Sequence, residues 1–341
     1  MAEMMLREAI LQTIHDEMER NDDVVVLGED IVGGMGTEGG PESTGGIWGT
    51  SVGLFDKFGA DRVIDTPISE SAIVGAASGL ALSGKRPIAE IMFADFVGVC
   101  LDQLWNQMAK FRYMFGGKTN CPAIIRMSYG AGLNAAAQHS QAVYPMLTSL
   151  PGLKVAMPTT PADAKGLLTT ALRGDDPVIF MEHKALYASK GEVPDGDYLI
   201  EFADARLMRS GEHATIVTCG FMTVFAAAAA DALAKEGISC DVIDLRTTSP
   251  IDEEAILDSV ENTGRLIVVD ESPPRCSLAA DIASIVSQKA FSSLKAPPAL
   301  VTAPHSPVPF AKELEQAYLP NPDKIIAAVH QTLNYRKEAF V

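Results

Sequence analysis

A chain of 341 residues is long for one domain and ordinary for two. Hydrophobic residues make up 47% and charged residues 21%, which supplies a sizeable core and excludes global disorder. Lys plus Arg number 27 against 44 Asp plus Glu, a formal charge of −17. That balance disfavours nucleic acid and anionic membrane as partners and leaves room for a basic protein partner. The start, MAEMMLREAI, has no basic stretch leading into an apolar one, so no signal peptide is expected. The uncharged run 214–230 is interrupted by Thr215, Thr218, Gly220 and Thr223; it reads as strand, turn and helix, not as a membrane span. Five cysteines (Cys100, Cys121, Cys219, Cys240, Cys276) are odd in number, far apart and without a CxxC pair. They exclude a disulfide scaffold and a zinc ribbon, and fit a reducing cytoplasm.

In chain order, Leu6, Ile10, Ile14 and Met18 lie at four-residue spacing and predict a helix over 5–20. Val24 to Leu27 is a strand that runs into Glu29-Asp30. Residues 33–53 are glycine-rich and predict a long, mobile loop. Next come strand 62–64, a Thr66-Pro67 turn, a small-residue helix over 70–83, strand 87–92 and one long helix over 96–113. Strand 123–127, a helix near 140–149, strand 154–157, helix 162–173 and strand 178–182 follow. Composition turns polar over 185–202, which predicts a linker. The alternation then restarts with strand 215–219, helix 223–235, strand 240–245, helix 252–260, strand 265–269, helix 278–290, strand 299–302 and two terminal helices. The reading is two α/β domains, 1–190 and 200–341, each a mainly parallel sheet flanked by helices.

The densest local constellation is Ile64-Asp65-Thr66-Pro67-Ile68-Ser69-Glu70. A strand ends, a proline turns the chain, and a helix begins. Open α/β sheets bind ligands at the carboxyl ends of their strands. Equally, Ser69 reads as an N-cap and Glu70 as a first-turn acid favoured by the helix dipole. The small residues behind them (Gly75, Ala76, Ala77, Ser78, Gly79, Ala81) imply close approach of another backbone or a subunit. Gln138-His139-Ser140 reads either as a proton-transfer site in a loop or as a helix cap. Glu29-Asp30 reads as a paired acid at a strand end or as a solvated turn. No GxxxxGK[ST], strand–GxGxxG–helix unit, zinc spacing or GxSxG elbow occurs. His305 sits among prolines in what reads as a rigid loop, and Cys276 reads as a buried thiol at a helix start.

VIDTPISESAIVGAASGLALSGKRPIAEIMFADF, AAAQHSQ, PGLKVAMP, DAKGLL and VIDLRTTSPID, in this order along nearly the whole chain, resemble the beta subunit of the thiamine-diphosphate-dependent first component of 2-oxoacid dehydrogenase complexes. ADFVGVCLDQLWNQMAKFRYMFGGK, RCSLAADIASIVSQKAF and TAPHSPVPF are most similar to the acetoin dehydrogenase branch. The resemblance implies a transketolase-like pyrimidine-binding domain followed by a transketolase C-terminal domain. It also implies that Glu70 hydrogen-bonds a nitrogen of the cofactor's aminopyrimidine and favours its imino tautomer. Phe96 is then an aromatic face for that ring, with Met92 nearby. Glu29 becomes an acid in a polar passage between paired sites, and His139 the loop histidine facing substrate and lipoyl group.

Thiamine enzymes hold the diphosphate through magnesium with a GDG motif and a downstream Asn. Here Gly174-Asp175 and Gly196-Asp197 are not followed by glycine. The resemblance therefore implies that this chain binds the pyrimidine half only. Magnesium would sit on an alpha subunit, in a two-alpha, two-beta heterotetramer that serves a lipoyl-bearing dihydrolipoamide acyltransferase. A family potassium site corresponds to Ala171, Leu172 and Asp176, with Gly174 where some relatives carry Asp. The expected activity is oxidative cleavage of acetoin with transfer of the acetyl unit to lipoamide. The alternatives are pyruvate or a branched-chain 2-oxoacid as substrate, or a non-catalytic assembly subunit.

Overall fold

A computed structural model describes residues 1–33 and 45–336. It divides into two compact units, one of Met1–Gly130 with Gln138–Phe202, the other of Ala131–Ala137 with Ala203–Val341.

In the first unit the strands are β1 (Ala2–Met5), β2 (Val24–Glu29), β3 (Val63–Thr66), β4 (Arg86–Ile91), β5 (Ile124–Tyr129), β6 (Lys154–Ala156), β7 (Val178–His183) and β8 (Lys190–Val193). Six of them line up in parallel in the order β6-β7-β5-β4-β2-β3. Every residue of β5 and β7 is buried, as expected of parallel strands covered on both faces. From β2 the chain first steps outward to β3, then crosses back over β2 to β4. The strand order therefore reverses between β2 and β4, and their carboxyl ends open the crevice where such sheets take ligands. Helix Leu6–Arg20 buries Leu6, Ile10, Ile14 and Met18 on one stripe, as its periodicity predicts.

Four expectations need correction. The 185–202 segment is no linker. β8 pairs antiparallel with β1, the Tyr198 hydroxyl donates to the Ala162 carbonyl (2.8 Å), and Ile200 packs where Gly166 leaves room. Its polar composition belongs to an exposed strap on the first unit. The single helix over 96–113 is four short pieces: a 3-10 turn (Ala94–Phe96), an α-turn (Val97–Asp102), a π-turn (Gln103–Met108) and a last α-turn (Phe111–Met114). In the π-turn the Ala109 amide reaches back five residues to the Leu104 carbonyl (3.0 Å), and the bulge lets Gln103 meet Gly75. The 140–149 helix shrinks to Tyr144–Thr148, because Asp95 takes the Ser140 and Gln141 amides in an irregular approach and Pro145 fits only the first turn. Finally, residues 34–44 of the glycine-rich loop lie outside the described residues, while Thr50 and Ser51 at its end are buried.

The second unit holds a five-stranded sheet in the order Ala299–Thr302, Leu266–Asp270, Ala214–Thr218, Cys240–Asp244, Arg206–Arg209. The first four are parallel; Arg206–Arg209 is an antiparallel edge whose two apolar residues, Leu207 and Met208, are flanked by arginines and gave too short an apolar signal. The alanine-rich helix Met222–Lys235 buries Ala226, Ala229, Ala230 and Leu233 in a core shared with Ile325 and Val329 of the terminal helix. Segment Ala131–Ala137 is tied into this unit through the buried carboxylates of Glu271, which accepts the Ala131 amide (2.6 Å), and Glu315, which accepts the Asn134 amide (3.0 Å). Among the described residues no helix is long and apolar enough to cross a membrane.

Gly152 shows how tightly the first unit is closed. Its φ is +103°, and a Cβ there would lie 1.9 Å from the Ala109 carbonyl oxygen. Gly152→Ala combines overpacking against backbone with a left-handed conformation. It should cost about 2 kcal/mol or more, read as a lower denaturation midpoint in urea. An unchanged midpoint would mean that the π-turn and the Gly152 loop are not in contact.

Candidate active site

The three segments that leave β2, β3 and β4 at their carboxyl ends carry the site. β2 ends in the half-buried Glu29, after which Asp30 turns the chain at φ +56°. β3 leads through the Thr66-Pro67 turn to helix Glu70–Leu82, whose first residue, Glu70, is only 8% exposed. Ser69 occupies the cap position without capping: its hydroxyl donates to the Pro67 carbonyl instead (3.0 Å). Burial pushes the Glu29 carboxyl above the ordinary range, helped by the negative charges of Asp30, Glu70 and Asp65. Burial also raises Asp65, although the amides of Val32 and Ile31 draw it partly back. Glu29, Asp30, Asp65 and Glu70 thus form one carboxylate group at the crevice. Cys100 adjoins it: burial, then the charge of Glu70, lifts its thiol to about 12, so it acts as an inert wall.

Beyond β4 comes an aromatic wall. Phe96 meets His139 edge-on (centroids 5.4 Å apart), and Phe93 meets both His139 (4.6 Å) and Phe96 (5.7 Å). Trp48 packs on Phe93 (6.0 Å) and stacks on Tyr187 (4.9 Å). The fully buried Cys100 thiol points to the Phe96 backbone carbonyl (3.9 Å) and feels the charge of Glu70. Asp95 fixes the chain after His139 through one oxygen, which accepts the Ser140 and Gln141 amides and the Gln141 side chain (2.9–3.2 Å). Met92 is half-buried, and its carbonyl accepts the Ser128 hydroxyl (2.5 Å). The structure therefore brings together Glu29 with Glu70, and Phe96 with His139.

Sequence reasoning missed the charges beneath this surface. Arg126, 1% exposed, grips Glu182 with two nitrogens (2.7 and 2.8 Å) and Glu90 with a third (2.8 Å). The Tyr187 hydroxyl donates to Glu182 (2.8 Å) and the Thr50 hydroxyl to Glu90 (3.2 Å). Burial pushes Glu90 up despite Arg126, and the two acids keep the guanidinium firmly charged. The available signal was one charge inside each of three apolar runs, PIAEIM, AIIRMS and VIFMEH. Lys184, one residue past β7, was also missed: it is 3% exposed and donates to the His139 carbonyl.

The remaining candidates lie elsewhere. Cys276 is exposed, against expectation: a φ of +51° just before the helix cap Ser277 turns it outward. His305 is exposed in the second unit. The Leu172 and Gly174 carbonyls accept the Arg86 guanidinium (3.0 and 2.6 Å). Burial of Asp176 is outweighed by Lys154 and Arg112, which leave its carboxyl below the usual range. Among the described residues His15, Asp16 and Glu19 could converge on a metal; they are at the surface, and the Lys57 ammonium already bonds His15 (2.7 Å) and Glu19.

Residues 2–190 match the family described as transketolase, pyrimidine binding domain, and residues 203–325 match transketolase, C-terminal domain. The chain belongs to the transketolase family. It is 54% identical over 330 residues to the beta subunit of acetoin:2,6-dichlorophenolindophenol oxidoreductase of Cupriavidus necator, covering 97% of each chain. It is 48% identical to the subunit of the same description from Bacillus subtilis, covering 96% of each. The 2-oxoisovalerate dehydrogenase beta subunit of Bacillus subtilis is 40% identical, with 98% of this chain and 100% of the relative covered. Within the transketolase family the chain thus belongs with the beta subunits of acetoin and 2-oxoacid dehydrogenases. A solved split gene transketolase, described as an inactive beta4 tetramer, shares the fold with a TM-score of 0.76 at 24% identity, covering 96% of this chain and 97% of that one.

Two outcomes follow from these charges. Arg126→Met leaves two buried carboxylates without their cation and should cost about 3–5 kcal/mol in denaturant unfolding. Adding Glu90→Gln and Glu182→Gln should recover part of the loss, and a neutral single variant would refute the network's structural role. Glu29 has a raised native pKa, so the stability it contributes is complete below the ordinary glutamate value. That contribution fades as pH rises through the native value. Glu29→Gln should therefore gain stability relative to the parent as pH climbs across that window; a pH-independent difference would contradict the burial of this carboxyl.

Proposed function

We propose that the chain is the beta subunit of a thiamine-diphosphate-dependent acetoin dehydrogenase, active together with an alpha subunit. The observation that carries the reading is a buried Glu70 at a helix start beside the strand-order reversal, with the edge-on pair Phe96 and His139 carried by the same unit. The substrate rests on the relatives named for acetoin, which stand above those named for 2-oxoacids in identity. The residues suit the pyrimidine half of the cofactor. A carboxylate group that retains protons can exchange one with a weakly basic ring nitrogen, and Phe96 offers a face to an aromatic heterocycle.

When bound, thiamine diphosphate supplies the carbon nucleophile that cleaves acetoin and hands the two-carbon unit oxidatively to lipoamide. In this reading Glu70 holds a proton at the aminopyrimidine nitrogen and selects its tautomer. Phe96 and Met92 orient that ring, Cys100 and Phe93 exclude water, and Glu29 continues the path of exchangeable protons away from Glu70. His139 faces the substrate and the incoming lipoyl group. Magnesium and the diphosphate are assigned to the alpha subunit. The division into a pyrimidine-binding domain (1–190) and a C-terminal domain (200–341), a cytoplasmic setting and a lipoyl-bearing acyltransferase partner complete the proposal. Exposed Ile68 (73%), Val99 (60%) and Tyr113 (89%) support a partner chain on the first unit, because apolar surface of this kind is costly in water.

The test is acetoin-dependent reduction of 2,6-dichlorophenolindophenol by the alpha–beta assembly, with pyruvate and 2-oxoisovalerate as rival substrates. Acetoin should be turned over fastest. Glu70→Ala should lower the rate at least 100-fold, the scale of general acid–base catalysis. Turnover at the parent rate by Glu70→Ala would refute the role of Glu70, and a preference for a 2-oxoacid would refute the substrate.

A further inference from the structure

Lys184 is an unusual residue to find inside a sheet protein. It follows β7 directly, in the 3-10 turn Lys184–Leu186, which the His183 Nδ1 caps by accepting the Ala185 amide (3.2 Å). Its side chain is as buried as the apolar core, and a buried ammonium survives only where carbonyls or ring faces replace its water. Both are present. Nζ donates to the His139 carbonyl and lies 5.4 Å from the centroid of Phe93. Phe93 in turn meets the His139 imidazole edge-on, and Phe96 supports the imidazole from another side. One cation therefore touches both the backbone of His139 and the ring that walls its side chain. Residues 135–137 just before His139 are alanines, with Ala136 at a positive φ of 61°, so the chain there is held by its neighbours: Asp95 takes the Ser140 and Gln141 amides and Lys184 the His139 carbonyl.

We propose that Lys184 is a positioning residue for His139, holding its backbone carbonyl and, through Phe93, the plane of its imidazole. The proposal rests on His139 facing the substrate. In this role Lys184 acts on catalysis through His139, so its removal should slow turnover without weakening cofactor binding, and should change the rate little once the imidazole is gone. This differs from a lysine that merely stabilises the fold, whose loss would add to that of any active-site change.

The experiment is a double-mutant cycle in the assembled alpha–beta enzyme, read by acetoin-dependent dye reduction and by titration with thiamine diphosphate. Lys184→Met keeps the length and apolar stem and should lower kcat about 10-fold, the scale of one charge-assisted hydrogen bond, with KM for acetoin and cofactor affinity within about twofold of the parent. Lys184→Gln retains a donor and should recover part of the rate; it also serves if the methionine variant does not fold. On a His139→Ala background, Lys184→Met should change the rate less than about twofold. A slow His139→Ala enzyme combined with an unimpaired Lys184→Met, or with a Lys184→Met effect of equal size on both backgrounds, overturns the proposal. A His139→Ala enzyme that runs at the parent rate overturns the assigned role of His139 instead. Amide exchange at Ser140 then decides about the tether, which is refuted if Lys184→Met leaves that exchange unchanged.

Discussion

The buried guanidinium of Arg126 is the constraint on which the first unit turns. Three neighbouring parallel strands each place one charge on the same face of the sheet. Arg126 lies in register with Glu90 on β4 and reaches Glu182, one side-chain repeat further along β7. A one-residue slip of any of these strands would move its charge to the opposite face and leave the partners bare in the core. Apolar strands such as IIRMS and VIFME would otherwise tolerate many alignments. The charges select one, and the strand ends above them inherit that alignment.

The site is built on those ends. Two residues past Glu90 the chain reaches Met92, whose carbonyl is taken by Ser128 of the neighbouring strand, and then Phe93, Asp95 and Phe96. Two residues past Glu182 comes Lys184, and three further on Tyr187, which returns a hydrogen bond to Glu182 and stacks on Trp48. The aromatic wall therefore hangs from the charged network at both ends. Thr50 adds a third attachment through Glu90, which explains why the described end of the glycine-rich loop is packed while its composition suggests freedom. Precise ring placement here comes from polar bonds below the rings, since edge contacts between rings are individually weak.

Much of this was legible beforehand, and the exceptions have physical reasons. Buried parallel strands announce themselves as continuous apolar runs, so β2, β4, β5 and β7 could be read directly. The position of Glu70 at a helix start was legible from the Thr66-Pro67 turn, whereas its role was read only from the family resemblance. Polarity alone could not separate a linker from an exposed strap, so 185–202 was misread; its partners β1 and helix Pro161–Arg173 are remote in sequence. The π-turn was hidden because its residues have ordinary helical spacing and only backbone geometry shows the extra one. Ala131–Ala137 carries no composition cue to its membership of the second unit, which depends on two carboxylates more than a hundred residues away. Lys184 was overlooked because a lysine after a strand is ordinarily solvent-exposed.

The two halves of the crevice divide the chemistry between them. The β2 and β3 ends gather four carboxyls, and burial with neighbouring negative charge raises two of them, Glu29 and Asp65. The β4 and β7 ends contribute rings, a thiol that stays protonated and a cation already engaged by a carbonyl and a ring face. In the proposed reading Glu70 belongs to the acidic side and Phe96 to the aromatic side, which separates proton supply from substrate contact. Lys184 bonds the His139 carbonyl and lies over Phe93 on the aromatic side, so its removal should affect the position of His139 and leave the carboxyls of the β2 and β3 ends in place.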